Sequence, residues 1–150
     1  MKILTVLLFS MLVAPAFGAD AGKPSPALAY RGIVNSGILT CSQQVIEAMQ
    51  IAEIKRKGIE RYDLPEPMAP DWQACVVEQK AQAKVSYETA LKTVKKPAAR
   101  AALKEHFVAV FSALSGLAPY NDELKLAYTK RQGENTIKLR ELWDRFEIEN

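Results

Sequence analysis

The chain has 150 residues, a formal net charge of +3 and two cysteines. A balance so near neutral gives no general drive toward nucleic acid, and the modest glycine and proline content argues against a disordered chain. Alanine, leucine, lysine and glutamate outweigh β-branched runs, so the expected class is all-α: a small bundle of three or four helices.

Met1 and Lys2 give a positively charged start. Ile3 to Val13 is apolar apart from Thr5 and Ser10, and Ala16-Phe17-Gly18 supplies a small-x-small exit. Together these predict a cleavable secretory signal over 1–18, because a run this short falls below the roughly 20 apolar residues of a spanning helix. Residues 19–150 are then expected to form a single helical domain with no membrane span. They keep 19 of the 20 basic residues, since only Lys2 is lost, against 17 acidic ones. The expected destination is the periplasm or the exterior. In such a compartment an even cysteine count reads as one disulfide, Cys41 to Cys75. A zinc site would want about four ligands, and the chain has one histidine and no C-x-x-C. No metal and no cofactor are expected.

Ser25-Pro26 is a helix start, with serine as N-cap and proline at the first helical position. Gly32 and Gly37 predict a break after a short helix. A firmer helix is expected over 38–57, with Ile38, Cys41, Val45, Met49 and Ala52 on one apolar face. Lys55-Arg56-Lys57 followed by Gly58 marks its end. Pro65, Pro67 and Pro70 then predict an extended strip. Asp71 caps a second helix from Trp72 to about Val94. Its inner face is expected to carry Trp72, Val76, Ala83, Tyr87, Leu91 and Val94.

Pro97 opens a third helix that runs to Leu114 or Ser115. Its end overlaps the uncharged stretch 107–118, which reads as a helix buried on most sides or as an exposed interface. The last helix is expected from Asn121 or Asp122, with Leu124, Ala127, Tyr128, Leu139, Leu142, Trp143 and Phe146 inward. Residues 129–136 interrupt that face with polar side chains. Such an interruption requires a bend at Gly133, an overhang, or a site.

The cysteines constrain the path of the chain. Cys41 lies about 24 Å before the end of its helix at 1.5 Å per residue, whereas Cys75 lies near the start of the next. A disulfide needs Cα atoms within about 7 Å. Helix two must therefore begin beside Cys41, and the strip 58–70 is expected to run back along helix one.

The candidate site residues are polar. Tyr128, Arg131, Glu134 and Arg140 form one group, in which Arg131 is a buried charge paired with a carboxylate, a contact for a partner or ligand, or a plain surface residue. His106 reads as a surface or boundary residue, because no second ligand or nucleophile stands at a telling spacing. Lys92, Lys95, Lys96, Arg100 and Lys104 cluster around one turn without interleaved aromatics, so they predict a solvated face and no nucleic-acid platform. Leu39-Thr40-Cys41-Ser42-Gln43 resembles the L-T-x-x-Q pattern of the Spy and CpxP periplasmic chaperones, which are helical exported proteins of similar size. That family carries the motif twice and this chain once, so no functional residues are transferred.

No grouping of acid, base and nucleophile appears. The expected function is a non-enzymatic interaction module of the inhibitor, immunity, chaperone or envelope-assembly kind. Its expected partner is another protein of the cell envelope. The alternative is a carrier that holds a small or apolar ligand between helices.

Overall fold

The computed structural model describes residues 23–58 and 71–150; the expected signal over 1–18 and nearly all of the expected strip 58–70 lie outside them. The described secondary structure is entirely helical: α1 (Pro26–Arg56), α2 (Trp72–Thr93), α3 (Pro97–Ser115) and α4 (Lys125–Glu149). No helix among the described residues is long and apolar enough to cross a membrane.

Local chemistry sets most of the ends. The Ser25 side chain accepts from the Leu28 amide and Pro26 opens α1. Asp71 accepts from the Ala74 amide at 2.9 Å and starts α2. Pro97 starts α3. Lys55 and Arg56 occupy the last turn of α1, and Gly58 follows with φ 62, a left-handed conformation suited to glycine.

Residue contacts give the topology. Tyr30 meets Tyr87 while Cys41 is bonded to Cys75, so α1 and α2 run antiparallel. Glu105 pairs with Arg145 while Gly116 meets Arg131, so α3 and α4 run antiparallel as well. Arg31 reaches Glu147 while Ser42 stands near Tyr128, so α1 and α4 run antiparallel too. The disulfide forms with Cα atoms 5.7 Å apart, and α2 begins beside Cys41 as its geometry demands. The expected course of the strip 58–70 falls almost wholly outside the described residues.

Four expectations are corrected. First, α1 runs unbroken through Gly32 and Gly37. Each glycine costs about 1 kcal/mol of helix propensity, but Tyr30, Val34 and Cys41 are buried around them, and tertiary packing outweighs that cost. Gly37 is itself buried, and a Cβ there would collide with the Gln79 side chain of α2, so glycine permits the close approach. Second, the buried face of α1 ends at Val45, and Ala52 is exposed. Because α2 begins level with Cys41, the last turns of α1 extend past its start.

Third, α4 begins at Lys125 instead of Asn121 or Asp122. Those residues belong to a turn in which Asp122 has φ 58 and the Glu123 amide donates to the Tyr120 carbonyl at 3.1 Å. Leu124 and Ala127 consequently sit outside the core. Fourth, the uncharged stretch of α3 is buried on one side only. Val110, Ala113, Leu114 and Leu117 point inward, whereas Val108 is 59% exposed. The helix packs on α4 and α2 and touches α1 only slightly, which leaves its outer side open.

The core is centred on aromatic rings. Tyr30 from α1, His106 from α3 and Trp143 from α4 meet mutually, with centroids 5.4 to 6.3 Å apart. Tyr87 stacks on Phe107 at 4.0 Å, and Phe146 adjoins Trp143. Burying side chains of this size contributes about 1.5–3 kcal/mol each. This cluster joins all four helices.

Candidate functional site

The sole histidine belongs to that core. His106 is 2% exposed, and its Nδ1 shares a 3.0 Å hydrogen bond with the Tyr30 hydroxyl. The expected surface or boundary position is therefore corrected to the core. Burial, with the Arg31 guanidinium nearby, pulls its pKa down to about 4, so the ring is neutral near pH 7. Burial also raises the Tyr30 phenol, which stays protonated. The sequence could not show this pairing, because the two residues stand 76 positions apart.

The interrupted face of α4 is explained largely by the turn above it. Arg131 grips Glu123 through Nε to Oε1 at 2.9 Å and through a second nitrogen to Oε2 at 2.6 Å. The same guanidinium donates to the carbonyls of Gly116 and Ala118, which follow the end of α3. Gln132 adds a bond to the Gly116 carbonyl at 3.1 Å. The Tyr120 ring lies 4.3 Å from the Arg131 guanidinium carbon. These hydrogen bonds hold the Glu123 carboxyl below the usual carboxylate range. Helix-end carbonyls need donors, and two consecutive polar residues of α4 supply them.

The four residues grouped from sequence are thus divided. Arg131 is the centre of the clamp, with Glu123 as its carboxylate. Tyr128 is fully buried beneath it, with its ring 5.3 Å from the guanidinium. Burial raises its phenol, and Ser42 of α1 is near enough to oppose that, yet no aligned hydrogen bond reaches the hydroxyl. Glu134 is exposed and outside the clamp. Arg140 is exposed and stands elsewhere, on the wall of a groove. In the basic cluster, Arg100 donates to the carbonyls of Leu91 and Val94 and caps the end of α2, while its lysines remain in solvent.

That groove separates α1 from α4 and has a volume of about 640 Å³. One wall presents Asn35, Ile38, Leu39, Ser42 and Ile46 of α1. The other presents Thr129, Thr136, Leu139, Arg140 and Trp143 of α4, with His106 at the floor. At one end of the groove α1 and α4 are joined where Arg31, Trp143 and Glu147 meet, and at the other Ser42 of α1 stands near Tyr128 of α4. At the first end the Trp143 Nε1 donates to Glu147 at 2.6 Å, and Arg31 lies 5.1 Å from the indole centre. Amides, hydroxyls and aliphatic side chains alternate along the walls, so the groove can accept both hydrogen bonds and apolar contact.

A second depression lies between α1 and α2, lined by Ala29, Ile33, Val85 and neighbouring residues without a charge. Among the described residues, no three His, Cys, Asp or Glu side chains are grouped to hold a metal. Compared with protein-family models, with curated proteins and with solved structures, the chain matches none.

Proposed function

We propose that this protein is an exported, non-enzymatic interaction module that binds a segment of another cell-envelope protein in the α1–α4 groove. The groove carries the reading. It is open along one side, and its mixture of aliphatic walls with amides and hydroxyls suits a polypeptide. The aromatic core beneath is filled by Tyr30, His106 and Trp143 and supplies a rigid floor. Export rests on the signal-like residues 1–18, and the Cys41–Cys75 bond is compatible with it. The non-enzymatic part of the reading rests on the sequence, in which no grouping of acid, base and nucleophile appears. A carrier of a small ligand is the competing reading. The groove volume is within the range of about 300–1,000 Å³ that such ligands use, but its open side fits a carrier poorly.

The test is affinity capture from periplasmic extract with mature, oxidised protein, beside a variant carrying Leu39→Arg and Thr136→Arg. Both positions are exposed on the groove walls, so the fold tolerates the change while the groove is filled. A partner retained by the parent and lost by the variant is expected. Equal retention places binding on another face. No partner, with a co-purifying small molecule, overturns the proposal in favour of the carrier. Mass spectrometry of the exported protein checks the leader, and a first residue of Ala19 is expected.

A further inference from the structure

The groove has a charge polarity that narrows its occupant. Its charged lining residues are Arg31 and Arg140, and no acidic residue lines it. Both arginines belong to the Trp143 end. Glu147 also stands there, bonded by Trp143 and paired with Arg31 at 3.3 Å. One carboxylate against two guanidinium groups leaves a cation in excess at that end. The opposite end, around Ser42, Ile46 and Thr129, carries hydroxyls and aliphatic carbon without charge.

Length supplies a second constraint. From Arg31 to Ile46 the α1 wall extends about 22 Å at 1.5 Å per residue. An extended peptide covers that distance with roughly seven residues at 3.3 Å each. Its backbone amides need partners, and Asn35, Ser42, Gln43 and Thr136 stand along the walls to provide them. An acyl chain has no use for those groups and would leave them without water or a bond.

We infer that the groove takes an extended segment of about seven residues from a partner protein, apolar on one side, with a carboxylate at the Arg31–Arg140 end. This rests on the interaction reading above and adds the chemistry and direction of the bound segment. Arg140 is the selective residue, because Arg31 is already shared with Glu147 and the Trp143 ring.

A displayed library of capped, randomised heptapeptides tests it, selected on the oxidised parent, on Arg140→Glu and on the Leu39→Arg, Thr136→Arg variant. The parent is expected to enrich Asp or Glu at one end of the peptide by about tenfold, the ratio that corresponds to 1.4 kcal/mol. Arg140→Glu, at an exposed position, is expected to turn that preference toward Lys or Arg. The filled-groove variant is expected to enrich nothing. Peptides enriched without charge bias, but lost on the filled-groove variant, overturn the carboxylate inference and leave the interaction reading standing. Peptides enriched equally on the filled-groove variant overturn the groove as the site. If decanoate displaces the selected peptides as well as they displace one another, the occupant is an acyl chain and the inference falls.

Discussion

The two hairpins of this bundle are fastened by different chemistry. In the α1–α2 pair the fastening is covalent: Cys41 and Cys75 join the middle of a long helix to the start of a shorter one. In the α3–α4 pair it is polar: Arg131 ties Glu123 to the carbonyls of Gly116 and Ala118 at the turn. The covalent fastening depends on oxidation and is indifferent to charge. The polar one depends on charge and is indifferent to oxidant. Between them, the Tyr30, His106 and Trp143 rings join the hairpins, and that junction depends on the histidine staying neutral. Three parts of one small fold therefore respond to three different perturbations, and each can be separated from the others.

The largest effect is expected from the disulfide. It closes a loop with a sequence separation of 34, and removing such a cross-link costs about 4 kcal/mol on the chain-entropy account. Urea unfolding of Cys41→Ala, Cys75→Ala against the parent measures it. A loss below about 1 kcal/mol would mean that packing alone holds the α1–α2 pair, and the contrast between hairpins would collapse.

Acid tests the junction. The folded pKa of His106 is about 4, below the ordinary 6.5, so the fold favours the neutral ring. Above pH 6.5 neither state binds the proton and the stabilisation is complete. As pH falls from 6.5 toward 4 the unfolded chain takes up the proton first, and about 3 kcal/mol is lost across that window. Unfolding free energies measured from pH 7 to 4 should show this slope, and His106→Gln should flatten it. An unchanged slope in the variant would assign the acid sensitivity to other groups.

The clamp is expected to contribute less. Side chains of Arg131 and Glu123 are 18% and 6% exposed, so the pair is neither fully dry nor fully screened. Arg131→Gln should cost about 2 kcal/mol, midway between exposed and buried pairs. Glu123→Gln should cost less, because the guanidinium keeps its carbonyl partners. If the two variants cost the same, the ion pair would be the whole of the clamp and the carbonyl bonds would add nothing.

The covalent hairpin was the more legible of the two in the sequence, for a physical reason. Its determinants are local or countable: Ser25-Pro26, Asp71, Gly58 and a pair of cysteines. The α3–α4 turn depends on Glu123 meeting Arg131 eight positions away in a conformation that Asp122 adopts with positive φ, and cap preferences at Asn121 and Asp122 point to a different start. His106 was misplaced because its partner Tyr30 lies in another helix. The groove was invisible for the same reason. It forms between the first and last helices, and helical periodicity describes one helix at a time. Arg140 was legible as a candidate, but its neighbour across the groove was not.

The smallest expected effect probes the seam between the two hairpins. Tyr128 sits under the clamp and faces Ser42, yet its buried hydroxyl has no aligned partner. A buried polar group left unmatched opposes folding, so Tyr128→Phe should be neutral or stabilising by up to about 1 kcal/mol. Because Tyr128 does not line the groove, selection of peptides should be unchanged in the same variant. A destabilisation of about 1 kcal/mol would show that the phenol is bonded in solution, with Ser42 the nearest group to accept or donate. That bond would then join α1 to α4 directly. The hairpins would be coupled at the clamp end as well as at the aromatic end, and reducing the disulfide would weaken the clamp instead of leaving it intact.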